Sequence, residues 1–228
     1  MANLALAPAR PPVLGPDTST PQQRTGVAMG FVGLTLSVVF MAYLHVVASG
    51  QLSPVDTTMS DYVFADVIGW MFGASVLSMA VGAFGAFRGL AAMGLLARPL
   101  PRLALSLVML GAVLVALFPT DQGETLEALS LPAEIHRYAA GVVFFSLPIA
   151  ALLVSSRLGA LPRYRKWLRG TVFVTTVALV VFLTSHFGMM PEAIQDLRGV
   201  AQRLLFVLEL EVLGQLIYLP MRYAAINR

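Results

Sequence analysis

Cysteine is absent from the 228-residue chain, and charged residues make up only 12% of it. An ordinary soluble domain carries about 25% charged residues. Without cysteine there are no disulfides, no thiolate metal sites and no cysteine nucleophile. With so little charge, and 57% of its residues hydrophobic, the chain cannot cover itself with a polar surface, so part of its solvent must be lipid. The chain also has no internal repeat, Gly-rich phosphate loop, Ser-His-Asp order or dinucleotide fingerprint. The one dense basic run, Arg163 to Arg169 with Trp167 inside it, reads as an anchor at a membrane surface rather than a nucleic-acid site. No nucleic acid is expected as a partner.

What the chain does have is long apolar runs. Six of them, Val27–Val47, Val63–Phe87, Leu103–Phe118, Ile135–Val154, Thr171–Phe187 and Gly199–Leu219, are long enough or nearly so to cross a hydrocarbon core as helices. Such a crossing takes about 20 residues. The third and fifth are short and must borrow flanking residues. The expected fold is all-α, a single bundle of six transmembrane helices over residues 25–222. Residues 1–24 read as a disordered tail and 223–228 as a short second tail. Among the small residues of the second run, Ala74, Ser78, Gly82 and Ala86 recur every fourth position and predict close approach of another helix. Pro148 falls inside the fourth run, where it releases the carbonyl of Phe144.

Basic residues set the orientation. Arg10, Arg24, Arg88, Arg98, Arg102, Arg157, Arg163, Arg165, Lys166, Arg169, Arg222 and Arg228 fall on one side, twelve of the fifteen basic residues. By the positive-inside rule that side, with both termini, is expected to be cytoplasmic. The opposite loops carry Asp56, Asp61, Asp121, Glu124, Glu127, Glu134, Glu192 and Asp196. All three histidines, His45, His136 and His186, fall at the same outer boundary. Asp66, Arg137, Gln202 and Arg203 share that level.

Four segments carry a family resemblance. They are "SDYVFADVIGWMFGASVLSMAVGAFGA", "LVALFPTDQGE", "IHRYAAGVVFFSLPIAALL" and "LRGVAQRLLF", in that order. The chain resembles the domain-of-unknown-function 998 family of bacterial six-helix membrane proteins over roughly residues 27–220. The most specific pieces are Phe118–Asp121, the following His136, and Gly199–Arg203. The resemblance implies a six-span bundle in a bacterial cytoplasmic membrane with a polar constellation on one face, and it implies no reaction.

An arginine one turn inside the membrane needs a partner, because an unpaired ion there costs several kcal/mol. Arg203 is therefore expected to pair with an outer aspartate, Asp121 first, with Asp61 and Asp66 as the other candidates. The plainer reading of Phe118–Asp121 is a helix stop and turn. The three histidines could hold zinc, but no local ligand spacing supports it and each comes from a different helix. No metal is assigned.

In the last run, Glu209 and Glu211 stand among leucine, valine and phenylalanine. A carboxyl in such surroundings is expected to be neutral or strongly hydrogen-bonded, since desolvation disfavours the charged form. Gln202 and Glu209 are seven residues apart and share a helix face, whereas Glu209 and Glu211 differ by about 200°. On azimuth alone, Glu209 looks toward the outer constellation and Glu211 toward Gln215 and Arg222.

These residues support a membrane enzyme acting on a lipid or isoprenoid substrate by carboxylate acid–base chemistry, with proton-initiated cyclisation or isomerisation as in a membrane terpene cyclase. The expected catalytic groups are Glu209, Asp121, Asp61, Asp66 and His136. Gln202, Arg203, His186, Tyr62 and Trp70 are the expected substrate contacts, the two aromatic rings stabilising a cation. No cofactor is required. Partners are the hydrophobic substrate and membrane lipids; the oligomeric state is left open. The alternatives are a proton-coupled transporter, which needs access from both sides, and a non-catalytic scaffold, which needs no cavity. Against the transporter, no matched pair of broken helices marks an inverted repeat.

Overall fold

The computed structural model describes residues 20–122 and 129–226. The expected tail through residue 19, the acids Glu124 and Glu127, and Arg10 and Arg228 lie outside them. Long helices α1 (Pro21–Val47), α2 (Trp70–Ala92), α3 (Pro99–Leu117), α4 (Leu131–Ser155) and α5 (Pro162–His186) are followed by a short helix α6 (Glu192–Gln195) and a final long helix α7 (Arg198–Ile226). Six spans are long and apolar enough to cross a membrane. Among the described residues there is no strand.

Local signals explain the helix starts. Pro21, Pro99, Pro132 and Pro162 stand in the first helical positions, where the missing N–H has no partner to lose. Thr20 accepts from the Gln23 N–H while Gln23 Oε1 accepts from the Thr20 N–H, so α1 begins inside the stretch expected as tail. α3 and α5 do extend at their basic ends, starting at Pro99 and Pro162.

One boundary differs from expectation. The second apolar run starts as two 3-10 turns, Met59–Phe64 and Asp66–Ile68, and becomes α-helical only at Trp70. The reason is local: Asp61 Oδ2 accepts from the Thr58 N–H at 2.6 Å and from its hydroxyl at 3.0 Å, which tightens the first turn. Burial of Met59, Tyr62 and Ala65, at 4%, 1% and 0% exposure, then draws this segment into the bundle instead of leaving it along a lipid-facing helix.

α1 and α2 pack closely, and glycines make the approach possible. Gly26, Gly30 and Gly33 of α1 face Gly82, Gly85 and Gly89 of α2; a methyl at Gly33 would meet the Ser78 carbonyl 2.6 Å away and one at Gly85 the Gly30 Cα at 2.5 Å. The buried Ser75 hydroxyl, which donates to the Ser37 carbonyl at 2.8 Å, links the same two helices. Successive helices α1 to α5 pack in order, and α7 returns to contact α1, α2, α4 and α5. It is the most enclosed span, 56% buried in its apolar window against 28% for α1. With six crossings, the start of α1 and the end of α7 share one end, where Gly89 meets Pro220 and where Arg88, Arg102, Arg169 and Arg222 also lie. The opposite end is called distal below.

A loop clamp, an arginine hub and a lateral groove

The Gly199–Arg203 motif opens α7 at the distal end and works as a clamp on the connection between α1 and α2. A Cβ at Gly199 would collide with the carbonyl oxygens of Thr57 and Val55, so only glycine fits there without a shift. The Val200 N–H donates to the Val55 carbonyl at 3.2 Å. Gln202 Oε1 accepts from the Met59 N–H at 2.5 Å, and Arg203 Nη1 donates to the Thr57 carbonyl at 2.9 Å. Arg198 adds a bond from Nε to the Asp56 carbonyl at 2.8 Å. Backbone polar groups need partners, and the first turns of α7 supply them to four loop residues, Val55, Asp56, Thr57 and Met59.

Arg203 is the hub of this arrangement. Besides Thr57 it donates from Nη1 to the Gly199 carbonyl at 2.9 Å, from Nη2 to the Tyr62 hydroxyl at 3.0 Å and from Nε to His45 Nε2 at 2.8 Å. Its guanidinium carbon also lies 5.4 Å from the Tyr62 ring centroid. Because His45 Nε2 accepts from the arginine, its Nδ1 carries the proton, and that N–H donates to the Met41 carbonyl at 2.8 Å. Four of the five guanidinium N–H groups are thus used, all on neutral acceptors. Among the described residues no carboxylate hydrogen-bonds Arg203.

That corrects the expected Arg203–Asp121 pair. Asp121 instead accepts from the Ser130 N–H and hydroxyl, both at 2.7 Å. These bonds stabilise its charged form and hold its pKa below the ordinary carboxylate value, the backbone bond being the larger cause. Ser130 is the N-cap of α4, so Asp121 ties the end of α3 to the start of α4. The rest of the motif does the same: His136 Nδ1 donates to the Phe118 carbonyl at 2.7 Å, and its ring stacks on Phe72 with centroids 6.0 Å apart. The stop-and-turn reading therefore describes Phe118–Asp121 well.

The other expected residues separate into different surroundings. Asp61 tightens its own turn, and Asp66 is exposed in the next one. Trp70 is 62% exposed on the outer side of α2 with its edge toward Phe40, while the Tyr62 ring is covered by Arg203. The aromatic residues expected to stabilise a cation do not share one chamber. Among the described residues no three His, Asp or Glu side chains gather as metal ligands.

Among the described residues, three cavities reach from the middle of the bundle toward its distal end. The first, about 450 Å³, is a groove between α1 and α7 walled by apolar residues such as Val38, Met41, Phe206 and Val207, with His45, Arg203 and Glu211 on its surface. Val38 and Val207 are 45% and 60% exposed, so the groove opens on the side of the bundle. A second cavity, about 390 Å³ between α4 and α5, gathers Ser60, His136, Arg137, His186 and Gln202 against phenylalanine rings. A third of about 60 Å³ lies between them, sharing Met59 and Phe206 with the groove and His136 and Gln202 with the second cavity. None of these three reaches the terminal end.

The two glutamates differ sharply. Glu209 has no exposed surface, neither carboxyl oxygen has a hydrogen-bond partner among the described residues, and it lines none of the three cavities. Glu211 lines the groove. The azimuths read from sequence do oppose the two, but the packing of α7 turns Glu211, and not Glu209, toward open space. His45, which holds Arg203, and Glu211 are the residues that sequence reasoning left out of its candidate site. The i+4 spacing of Glu211 and Gln215, which bond at 2.9 Å, was the available signal.

A polar hub, lateral cavities and six apolar spans define an integral multi-pass membrane protein. The chain belongs to the family described as "Protein of unknown function (DUF998)", whose model matches residues 31–216. No curated protein and no solved structure matches the chain.

Proposed function

We propose that this protein takes an anionic amphiphile, an apolar acyl or isoprenyl chain bearing a phosphate or carboxylate, from the bilayer into the groove between α1 and α7. One observation carries the reading: Arg203, a permanent cation, stands on the wall of a groove that is apolar apart from His45 and Glu211, and it hydrogen-bonds only neutral acceptors. A guanidinium in that position favours an anion, and its fifth N–H remains to donate to one. The groove volume of about 450 Å³ falls in the range that holds small-molecule ligands. Openings on the side of the bundle favour a lipid-derived ligand over a solute crossing between two aqueous phases, and cavities of this size disfavour a mere scaffold. The orientation rule adds that the termini face the cytoplasm, so that the groove lies in the outer leaflet of a bacterial cytoplasmic membrane.

Within this reading, acid–base chemistry on the ligand, including proton-initiated isomerisation or cyclisation, falls to Glu211 rather than to the sealed Glu209. The test is mass spectrometry of lipids that accompany the purified protein. Wild type should retain an anionic amphiphile, and Val207→Trp, which fills the groove without touching the clamp, should lose most of it. Equal retention by both proteins would overturn the proposal.

A further inference from the structure

Glu211 stands halfway along the span Arg198–Tyr223, on the wall of an apolar groove. Gln215 Nε2 divides its two hydrogens between Thr171 Oγ1 at 2.8 Å and Glu211 Oε1 at 2.9 Å. Among the described residues Gln215 is the only hydrogen-bond partner of Glu211. Gln215 thus engages Oε1 and leaves Oε2 without a side-chain or backbone partner among the described residues. A polar oxygen without a partner in hydrocarbon is costly to maintain. The eight residues from Arg203 to Glu211 correspond to about 12 Å along the helix.

We propose that Glu211 recognises the chain of the groove's ligand, hydrogen-bonding through Oε2 to a hydroxyl carried on that chain about 12 Å from the head group that Arg203 holds. This rests on the groove-binding reading above and narrows the substrate class to an anionic amphiphile that carries a hydroxyl in mid-chain. Two polar contacts at that spacing select such a molecule from ordinary membrane lipids, whose chains offer Glu211 nothing to bond.

The test uses dicyclohexylcarbodiimide, an apolar reagent that adds to protonated carboxyls inside membranes. The carboxyl oxygen adds to the diimide carbon and the acyl group then migrates to nitrogen; no atom leaves, so the modified peptide gains the mass of the whole reagent. In membranes containing the full chain, the label should appear at Glu211 in wild type and in Glu209→Gln, and be absent in Glu211→Gln. 10-Hydroxystearate, whose hydroxyl matches the spacing, should slow labelling at about tenfold lower concentration than stearate, the size expected of one added hydrogen bond. In Glu211→Leu, native mass spectrometry should find the two acids bound equally. Labelling at Glu209 instead of Glu211, or equal protection by both acids in wild type, would overturn the inference while leaving the groove reading intact. Failure of either acid to protect, with neither bound in native mass spectra, would remove the groove reading and the inference with it.

Discussion

At the scale of single residues, the sequence showed which side chains needed partners but not which partners they would find. Arg203 was legible as a cation that could not be left bare. Its acceptors are two backbone carbonyls, a tyrosine hydroxyl and an imidazole, and carbonyls carry no sequence signature. Asp121 was legible as a polar terminus, and its tie to Ser130 nine residues later depends on a turn whose shape is set by the packing of α3 on α4. That tie has a pH signature. The folded pKa of Asp121 is depressed, so its contribution to stability is present above the ordinary carboxylate range and is lost as pH falls through the folded value. The Tm of wild type should exceed that of Asp121→Asn near neutrality, and the gap should close below about pH 4. A gap independent of pH would contradict the assignment. Glu209 makes a second prediction. Its two oxygens are buried with no partner among the described residues, so Glu209→Met should raise stability by about 1–3 kcal/mol, read as a higher Tm in detergent. A fall in Tm would mean that the carboxyl is satisfied in a way the structure lacks.

At the scale of elements, helix count and helix type were legible, and so were Ser78 and Gly82 of the small-residue stripe, because length, hydropathy and four-residue spacing are local properties; the closest approach to α1 also uses Gly85 and Gly89, outside the expected four. The start of α2 was not legible. The stretch from Val63 to Gly69 is apolar enough to read as helix, and the tertiary demand to bury Tyr62 and Ala65 overrides that preference. The stripe of α2 was readable without its partner; only the structure identifies Gly26, Gly30 and Gly33 of α1 as the facing surface. Because a side chain at Gly85 would fall on the backbone of Gly30, Gly85→Val should cost about 1–3 kcal/mol through forced separation of α1 and α2. Gly170→Ala in α5 is the control: a methyl there meets nothing within 4 Å, so the variant should be neutral or stabilised by about 0.5–1 kcal/mol from reduced chain entropy. Thermal unfolding of the two variants in the same detergent checks both signs. Equal effects would mean that the glycines of α1 and α2 do not set the interhelical distance.

At the scale of the whole molecule, the alternation of six spans brings every described basic residue of the set expected to face the cytoplasm to one end and the polar hub to the other. The absence of native cysteine makes the orientation easy to test. A single cysteine at Gln122 should label from outside intact cells, and one at Gly159 only after permeabilisation; the reverse pattern would invert the protein. The groove itself was invisible in the sequence, because a cavity is a property of how helices from distant segments meet. Azimuth along α7 divided Glu209 from Glu211, but its alignment with Gln202 pointed to Glu209 as the acid facing a cavity, whereas α1 leaves Glu211 uncovered. The most direct measurement is an experimental structure of the protein in native lipid. The account predicts chain density between α1 and α7 beside Val38 and Phe206, with its head within hydrogen-bond distance of Arg203 Nη2. A groove closed by α1 against Val207, with Arg203 bonded to a carboxylate of the chain, would contradict it.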